Sequence, residues 1–175
     1  MGVRGLRRKD SMFQKLRTDL VKKLAGVRLV LVNADGFAHG QANGNGSLPD
    51  GKYISALKDG GVEFVAFSKS KSAAVSSVAE TLGIELRQGV PEALGLYDGL
   101  KSELGVDDKD IVLLCRGESD IPLIGKAGFS AAPPDAPLGV KARSCFVTYY
   151  SGGPAVGEIA SLIYVAKKHP GGWTE

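Results

Sequence analysis

The stretch VRLVLVNADG, residues 27–36, decides the fold of this chain. Its first six residues form a nearly continuous apolar run, and Ile111–Cys115 forms a second run of the same kind. Such runs are typical of strands that are buried on both faces of a parallel sheet. We therefore predict a central strand over Val27–Val32, with the polar residues Asn33 and Asp35 just beyond its carboxyl end.

Helical and strand patterns alternate along the rest of the chain. The predicted strands are Val27–Val32, Glu63–Phe67, Glu85–Arg87, Ile111–Cys115, Phe129–Ala132 and Cys145–Thr148. The predicted helices are Ser11–Ala25, Gly51–Lys58, Ser72–Leu82, Pro91–Leu104, Ile121–Ala127 and Val156–Lys168. The proline-rich segment 131–137 predicts a rigid loop. This alternation predicts an α/β three-layer sandwich, in which helices cover both faces of a mainly parallel sheet.

A length of 175 residues fits one domain with a sizeable core. We assign residues 27–170 to that domain, residues 1–26 to a basic N-terminal tail and helix, and residues 171–175 to a C-terminal tail. Much of the excess positive charge lies in the tail, at Arg4, Arg7, Arg8 and Lys9, and could contact nucleic acid or an anionic surface. A disordered tail is the favoured alternative, because no basic patch with interleaved aromatic residues supports a nucleic-acid role.

The two cysteines, Cys115 and Cys145, lie in apolar strand-like runs. This predicts buried thiols in a reducing compartment rather than a disulfide or a metal site. The sequence contains neither an apolar run of membrane-spanning length nor a signal-peptide pattern. We therefore expect a cytoplasmic protein without a membrane partner.

Ligands of open parallel sheets bind outside the carboxyl ends of the strands. The residues predicted at those ends are Asn33 and Asp35, Ser68 and Lys69, and the segment 116–120, which includes Arg116, Ser119 and Asp120. This geometric argument selects a candidate site before any family is considered.

Six short segments carry a family resemblance: NADG at 33–36, FSKSKS at 67–72, QGV at 88–90, SDIP at 119–122, AGFSAAPPDA at 127–136 and SGG at 151–153. In this order and at these spacings the chain resembles the 3-deoxy-D-manno-octulosonate 8-phosphate phosphatases. These are compact members of the haloacid-dehalogenase superfamily without a large cap domain. The chain is also similar to the phosphatase-like C-terminal domain of animal CMP-sialic acid synthetases.

The resemblance implies a role for each position of the candidate site. Asn33 occupies the place of the aspartate nucleophile, Asp35 that of the general acid/base, and Ser68 that of a donor to phosphate oxygens. A neutral amide cannot replace a carboxylate nucleophile. For Asp35 an alternative is a structural turn residue, and for Ser68 a helix or turn cap.

Three further positions depart from the family pattern. Arg116 replaces the metal-binding aspartate, Ala93 the phosphate-neutralising lysine, and Pro154 a substrate-binding arginine. Mg²⁺ binds oxygen ligands, usually one or two carboxylates, whereas an arginine would repel it. We therefore expect no metal at the vestigial positions Asn33, Asp35 and Arg116.

Two roles remain open for Arg116. By hypothesis its guanidinium fills the vacated cation position and pairs with Asp35 or Asp120. The alternative is a side chain that extends into solvent. Ser68, Lys69 and Arg116 are the candidate anion-binding residues, and Ser119 and Asp120 complete the candidate site. His39 is interpreted as a loop residue rather than a base.

The leading hypothesis is a catalytically inactive phosphatase homologue that acts as a binding or assembly protein. Its partner would be a phosphorylated sugar acid, another anion or a sugar-acid pathway enzyme. The alternative is a weak or altered Mg²⁺-dependent phosphatase acting on a sugar-acid phosphate, with Asp35 or another group as nucleophile. A third possibility is a module that binds a phosphorylated ligand without cleaving it.

The resemblance also bears on assembly, because family members form tetramers through a β-hairpin after the first motif. The corresponding segment here, residues 37–49, is shorter and lacks alternating apolar residues. A dimer or tetramer therefore stays possible, but without the full hairpin.

Overall fold

The computed structural model describes residues 18–37 and 51–169. Its strands are β1 (Leu29–Asn33), β2 (Glu63–Phe67), β3 (Glu85–Arg87), β4 (Ile111–Leu114), β5 (Phe129–Ala132) and β6 (Phe146–Val147). They form one sheet in the order β3-β2-β1-β4-β5-β6, and every neighbouring pair is parallel. The predicted α/β class is confirmed.

Helices cover both faces of this sheet. They are α1 (described over residues 18–25), α2 (Lys52–Asp59), α3 (Ala73–Leu82), α4 (Ala93–Leu104), α5 (Ile121–Ile124), α6 (Leu138–Arg143) and α7 (Gly153–Lys168). Side chains of α1, α2, α3 and α7 pack on Val30 and Val32 of β1, and side chains of α4, α5 and α6 pack in the cluster that contains Leu29 and Leu31. Alternate residues of β1 thus enter opposite cores, which explains why its apolar run is continuous.

The helices on one face, the sheet, and the helices on the other face are the three predicted layers, and a hydrophobic core lies on each side of the sheet. In the described ranges no inserted domain covers the sheet edge as a cap. No helix in those ranges is both long and apolar enough to cross a membrane.

Element boundaries differ from the predictions in a few places. α4 begins at Ala93 and not at Pro91, because Glu92 between them has an extended backbone. α6 was not predicted, since it has six residues and buries one of them, Val140, so it carries no helical period. Residues 11–17 of the predicted first helix lie outside the described residues.

The two cysteines have different environments. Cys115 is buried as predicted, and burial raises the pKa of its thiol. Cys145 is exposed, which corrects the prediction of a buried thiol. It precedes β6, an edge strand of two residues, and within residues 18–37 and 51–169 no further strand pairs with that edge.

The strand order determines where a ligand can bind. Counting outward from β1, the chain first adds β2 and β3 on one side and then β4, β5 and β6 on the other. Crevices form at such a reversal, outside the carboxyl ends of the two central strands. Here these ends are Asn33 of β1 and Leu114 of β4.

Candidate ligand site at the carboxyl edge of the sheet

Asn33 is the last residue of β1 and is fixed by hydrogen bonds at both ends of its amide. Its Nδ2 donates to Oδ2 of Asp120 over 2.8 Å, and its Oδ1 accepts the backbone N–H of Asp35 over 3.0 Å. A carboxylate offers acceptors and a backbone N–H is a donor, so both contacts require this amide orientation. Asn33 therefore presents an N–H group, and not an oxygen, to the neighbouring carboxylate.

Asp120 is 1% exposed, and most of its hydrogen bonding falls on one oxygen. Besides Asn33, its Oδ2 accepts the backbone N–H groups of Arg116 at 2.7 Å and Gly117 at 3.2 Å. Its Oδ1 is buried without a hydrogen-bond partner in the described part of the chain. Asp120 thus ties the end of β1 to the turn after β4.

Asp35 and Ser68 form the second pair of the site. Ser68 Oγ lies 2.6 Å from Oδ1 of Asp35 and 3.0 Å from the carbonyl of Ser70, and the shorter contact marks Asp35 as its main acceptor. The same Oδ1 accepts the backbone N–H of Lys69 at 3.2 Å. Ser68 does not cap the following helix, because Ser72 is the N-cap of α3.

The Arg116 side chain lies against Gly36 and lines the cavity beside Asn33, which is the mouth of the candidate site. Its Nη1 donates to Oδ2 of Asp135 at 2.5 Å, and Oδ1 of Asp135 accepts Ser151 Oγ at 2.9 Å. The expected pairing with Asp35 or Asp120 is wrong, since the side-chain ion pair is made with Asp135. The alternative of extension into solvent is wrong too, because the side chain is only 26% exposed.

Gly36 makes room for this arginine. A Cβ atom built on Gly36 would lie 2.6 Å from Nε of Arg116 and 2.8 Å from its Cδ. Real Cβ contacts essentially never come under 3.0 Å. With any larger residue at position 36 the Arg116 side chain would have to shift from this position.

The positive charge of Arg116 also changes the pKa of its partner, Asp135. Burial opposes ionisation of Asp135, but the hydrogen bonds from Arg116 and Ser151 and the positive charge of Arg116 outweigh it. The pKa of the Asp135 carboxyl is therefore lower than its ordinary value.

Little space is left beside Asn33. The cavity there has a volume of about 10 Å³ and is lined by residues that include Asn33, Gly36, Arg116 and Gly152. About 10–15 Å³ is the room that one water molecule needs. A hydrated divalent ion does not fit unless Arg116 moves.

The side-chain oxygens around Asn33 are poorly placed to bind Mg²⁺. Both ends of the Asn33 amide are engaged, and the Oδ2 of Asp120 already accepts three N–H groups. Oδ1 of Asp120 has no hydrogen-bond partner among the described residues, but it is a single oxygen, and the cation Arg116 stands where the resemblance implies a metal-binding aspartate. Among the described residues no group of three or more His, Cys, Asp or Glu side chains could hold a metal ion. In this arrangement the residues do not fit a bound Mg²⁺.

The structure brings most of the predicted site residues together. Asn33, Asp35, Ser68 and Asp120 form the hydrogen-bonded interior, whereas Lys69 contributes its backbone N–H and exposes its side chain. Ser119 is exposed on the turn before Asp120 and takes no part in these contacts. His39, the segment 38–49 and the basic cluster at residues 4–9 lie outside the described residues.

Sequence reasoning missed Asp135 and Ser151. Asp135 follows the carboxyl end of β5 and Ser151 follows β6, so the rule that selected the other residues applies to them as well. The sequence alone predicts only a loop at 131–137, and SGG at 151–153 enters only as a motif of the family resemblance.

The fold and the site define a class of protein. A six-stranded parallel sheet, with Asn33 at the end of its central strand, Asp35-Gly36 just beyond it and a serine after the neighbouring strand, resembles the arrangement of haloacid-dehalogenase-like phosphatases, apart from the missing aspartate at position 33. A putative subfamily IIIA hydrolase of that superfamily from Legionella pneumophila superimposes with a TM-score of 0.75 at 23% identity, covering 94% of this chain and 93% of that one. At this identity the match shows the fold alone.

Two further relatives identify the family. The 3-deoxy-D-manno-octulosonate 8-phosphate phosphatase of Salmonella typhi is 26% identical over 161 residues, 86% of each chain. The Moraxella catarrhalis phosphatase of the same name, crystallised with magnesium ion, phosphate ion and a KDO molecule, is 27% identical with a TM-score of 0.74 and covers 86% of this chain and 93% of that one. No protein-family model matches the chain. The chain is a distant homologue of the 3-deoxy-D-manno-octulosonate 8-phosphate phosphatases, and the resemblance read from its motifs is confirmed.

Proposed function

We propose that this chain binds a phosphorylated sugar acid at the carboxyl edge of its sheet without hydrolysing it by the route that the resemblance implies. The observation that carries the proposal is the Asn33 amide, which donates to the buried carboxylate of Asp120 at 2.8 Å. At the nucleophile position the chain therefore has a neutral group whose nitrogen is committed to a structural contact.

Neighbouring groups do not supply a substitute nucleophile in this arrangement. Ser68 has an activating carboxylate in Asp35 at 2.6 Å, but Ser68 is fully buried and cannot reach an incoming phosphorus atom. The Asp35 oxygen that faces Ser68 also accepts the N–H of Lys69, so it serves to hold the two loops together.

Arg116 supports anion binding. Asp135 engages Nη1 of the guanidinium, while Nε and Nη2 have no partner in the described ranges of the chain. The planar guanidinium presents its N–H groups in a fork that matches phosphate and carboxylate oxygens. The exposed ammonium of Lys69, on the loop after β2, adds positive charge at the same edge of the sheet.

A second candidate function is an altered Mg²⁺-dependent phosphatase acting on a sugar-acid phosphate. The comparisons favour it, because the curated relatives carry the name of that activity over 86% of this chain. It requires Arg116 to leave the mouth of the site and Asp35 or another group to take the nucleophile's role. Assembly with a sugar-acid enzyme stays a prediction for either candidate.

One experiment separates the two candidates. Binding of 3-deoxy-D-manno-octulosonate 8-phosphate is measured by calorimetry, and its hydrolysis by phosphate release with and without Mg²⁺. The proteins are the wild type, Asp35→Ala, and an Asn33→Asp/Arg116→Asp double variant.

We expect the wild type to bind and not to hydrolyse, and the double variant to gain Mg²⁺-dependent hydrolysis. Wild-type turnover that needs Mg²⁺ and disappears in Asp35→Ala would establish the second candidate instead. Wild type that neither binds nor hydrolyses would overturn both. A triple variant adds Ala93→Lys, which supplies the phosphate-neutralising lysine that the resemblance implies at this position. If only the triple variant hydrolyses the substrate, the residue at position 93 also prevents hydrolysis.

A further inference from the structure

Two adjacent tyrosines stand out on the surface after β6. Tyr149 is 82% exposed and Tyr150 is 43% exposed, and their rings meet edge to face with centroids 5.0 Å apart. Isolated exposed apolar residues are ordinary, whereas aromatic residues such as tyrosine are enriched at binding surfaces. We name this pair the tyrosine platform.

The backbone beneath the tyrosine platform is fixed. The Glu158 carboxylate of α7 accepts the N–H of Tyr149 at 2.8 Å and 3.0 Å and the N–H of Tyr150 at 3.2 Å. The hydroxyl of Thr148 donates to the carbonyl of Tyr150 at 2.7 Å. Exposed rings on a backbone that is already ordered lose less freedom on binding than rings on a mobile loop.

The tyrosine platform is continuous with the candidate ligand site. Ser151 directly follows Tyr150, and its hydroxyl donates to Asp135, which pairs with Arg116. The next residue, Gly152, lines the same cavity as Arg116. One stretch of chain therefore carries the exposed rings and a wall of the site.

We propose that the tyrosine platform binds the sugar ring of an anionic ligand whose charged group is held by Arg116. This inference rests on the proposed function, which places such a ligand at this edge of the sheet. The faces of aromatic rings bind the apolar C–H side of a sugar ring. The platform thus makes the site prefer a phosphosugar over phosphate alone.

Calorimetry with two probes, 3-deoxy-D-manno-octulosonate 8-phosphate and inorganic phosphate, tests the inference on the full chain. The variants are Tyr149→Ala/Tyr150→Ala, which removes the rings, and Tyr149→Phe/Tyr150→Phe, which keeps them. Leu138→Ala is the matched control, because Leu138 of α6 is likewise exposed, at 79%, and none of the contacts above involves it.

We expect the double alanine variant to raise the Kd for the phosphosugar about tenfold, or about 1.4 kcal/mol, and to leave the Kd for phosphate unchanged. The double phenylalanine variant and Leu138→Ala should bind both probes within about twofold of the wild type. Circular dichroism of each variant confirms that it is folded.

Three results would overturn the inference. If the wild type and the double alanine variant bind the phosphosugar with the same Kd, the inference is wrong and the proposed function stands. Wild type that binds neither probe overturns both. A wild-type oligomer that the double alanine variant converts to monomers in sedimentation, with phosphosugar affinity retained, assigns the tyrosines to contact between copies of the chain.

Discussion

Asn33→Asp is the most direct perturbation of the site, because it changes one atom and adds one charge. Nδ2 of Asn33 lies 2.8 Å from Oδ2 of Asp120, and the two residues are 7% and 1% exposed. The substitution turns a donor–acceptor contact into a contact between two carboxylate oxygens. It would also recreate the nucleophile that the family resemblance implies.

The expected cost follows from this geometry. Two like charges about 2.8 Å apart repel by about 6 kcal/mol at an effective dielectric constant of about 20. A lost hydrogen bond to a charged group costs about 1.5–3 kcal/mol. The guanidinium of Arg116 and relaxation of the pair offset much of the repulsion, so we expect a net loss of about 3–4 kcal/mol in the free energy of unfolding.

Asn33→Ala is the matched control, because it removes the same hydrogen bond without adding charge. We expect it to cost about 2 kcal/mol. Urea unfolding followed by circular dichroism at pH 8 measures both variants. If Asn33→Asp is as stable as Asn33→Ala, the two carboxylates do not repel at this position and our account of the site is wrong.

Magnesium supplies a second test of the same reasoning. In Asn33→Asp/Arg116→Asp the added carboxylates need a cation, so Mg²⁺ should raise the melting temperature through preferential binding to the folded state. The wild type should show no such shift. A double variant whose melting temperature does not respond to Mg²⁺ would contradict the assignment of Arg116 as the group that displaces the metal.

Three further predictions concern the surroundings of the site. Gly36→Ala should displace the Arg116 side chain and weaken its pairing with Asp135, because its Cβ would lie 2.6 Å from Nε of Arg116. In urea unfolding we expect a loss of less than about 1 kcal/mol, which disappears when the substitution is made in Arg116→Ala. Because the pKa of Asp135 is lower than its ordinary value, the stability that its pairing contributes is fully present above about pH 3.9, and it is lost as the pH falls through the lowered value. The stability difference between the wild type and Arg116→Ala should therefore shrink below pH 4, and a difference that grows there would contradict the pairing. An aromatic disulfide reagent should modify the exposed Cys145 rapidly and the buried Cys115 only on unfolding. The release of thiolate, followed over time in the folded and unfolded protein, measures this difference.

Much of the fold could be predicted because its signals are local. The strands Glu63–Phe67, Glu85–Arg87 and Phe129–Ala132 have the predicted bounds. Glu63–Phe67 and Phe129–Ala132 are largely apolar runs that end at turn residues, and Gly83 and Gly89 bracket the shorter Glu85–Arg87. Gly83 and Gly105 end α3 and α4 in the left-handed conformation that glycine adopts without strain. α6 and the exposure of Cys145 were missed, because both depend on what packs against a short segment at the sheet edge.

The candidate site could likewise be predicted only in part. That Asn33, Asp35 and Ser68 share one edge of the sheet follows from the rule for carboxyl ends of parallel strands, and the loss of the carboxylate at position 33 is visible in the sequence itself. The hydrogen-bond partner of each side chain is not visible in the sequence. Asp120 was one of two acids proposed to pair with the Arg116 guanidinium, yet its carboxylate accepts the Asn33 amide N–H and backbone N–H groups, including that of Arg116.

The sequence by itself therefore determined the class of fold, the family resemblance and the chemical groups available at the site, because these follow from residue type and local spacing. Only the tertiary structure decided that Arg116 pairs with Asp135 across a gap that Gly36 leaves open, and that Ser151 completes this pair. Asp135, Ser151 and Arg116 come from loops after three different strands. Their distances depend on how the strands are ordered and twisted in the sheet, and no local pattern encodes that.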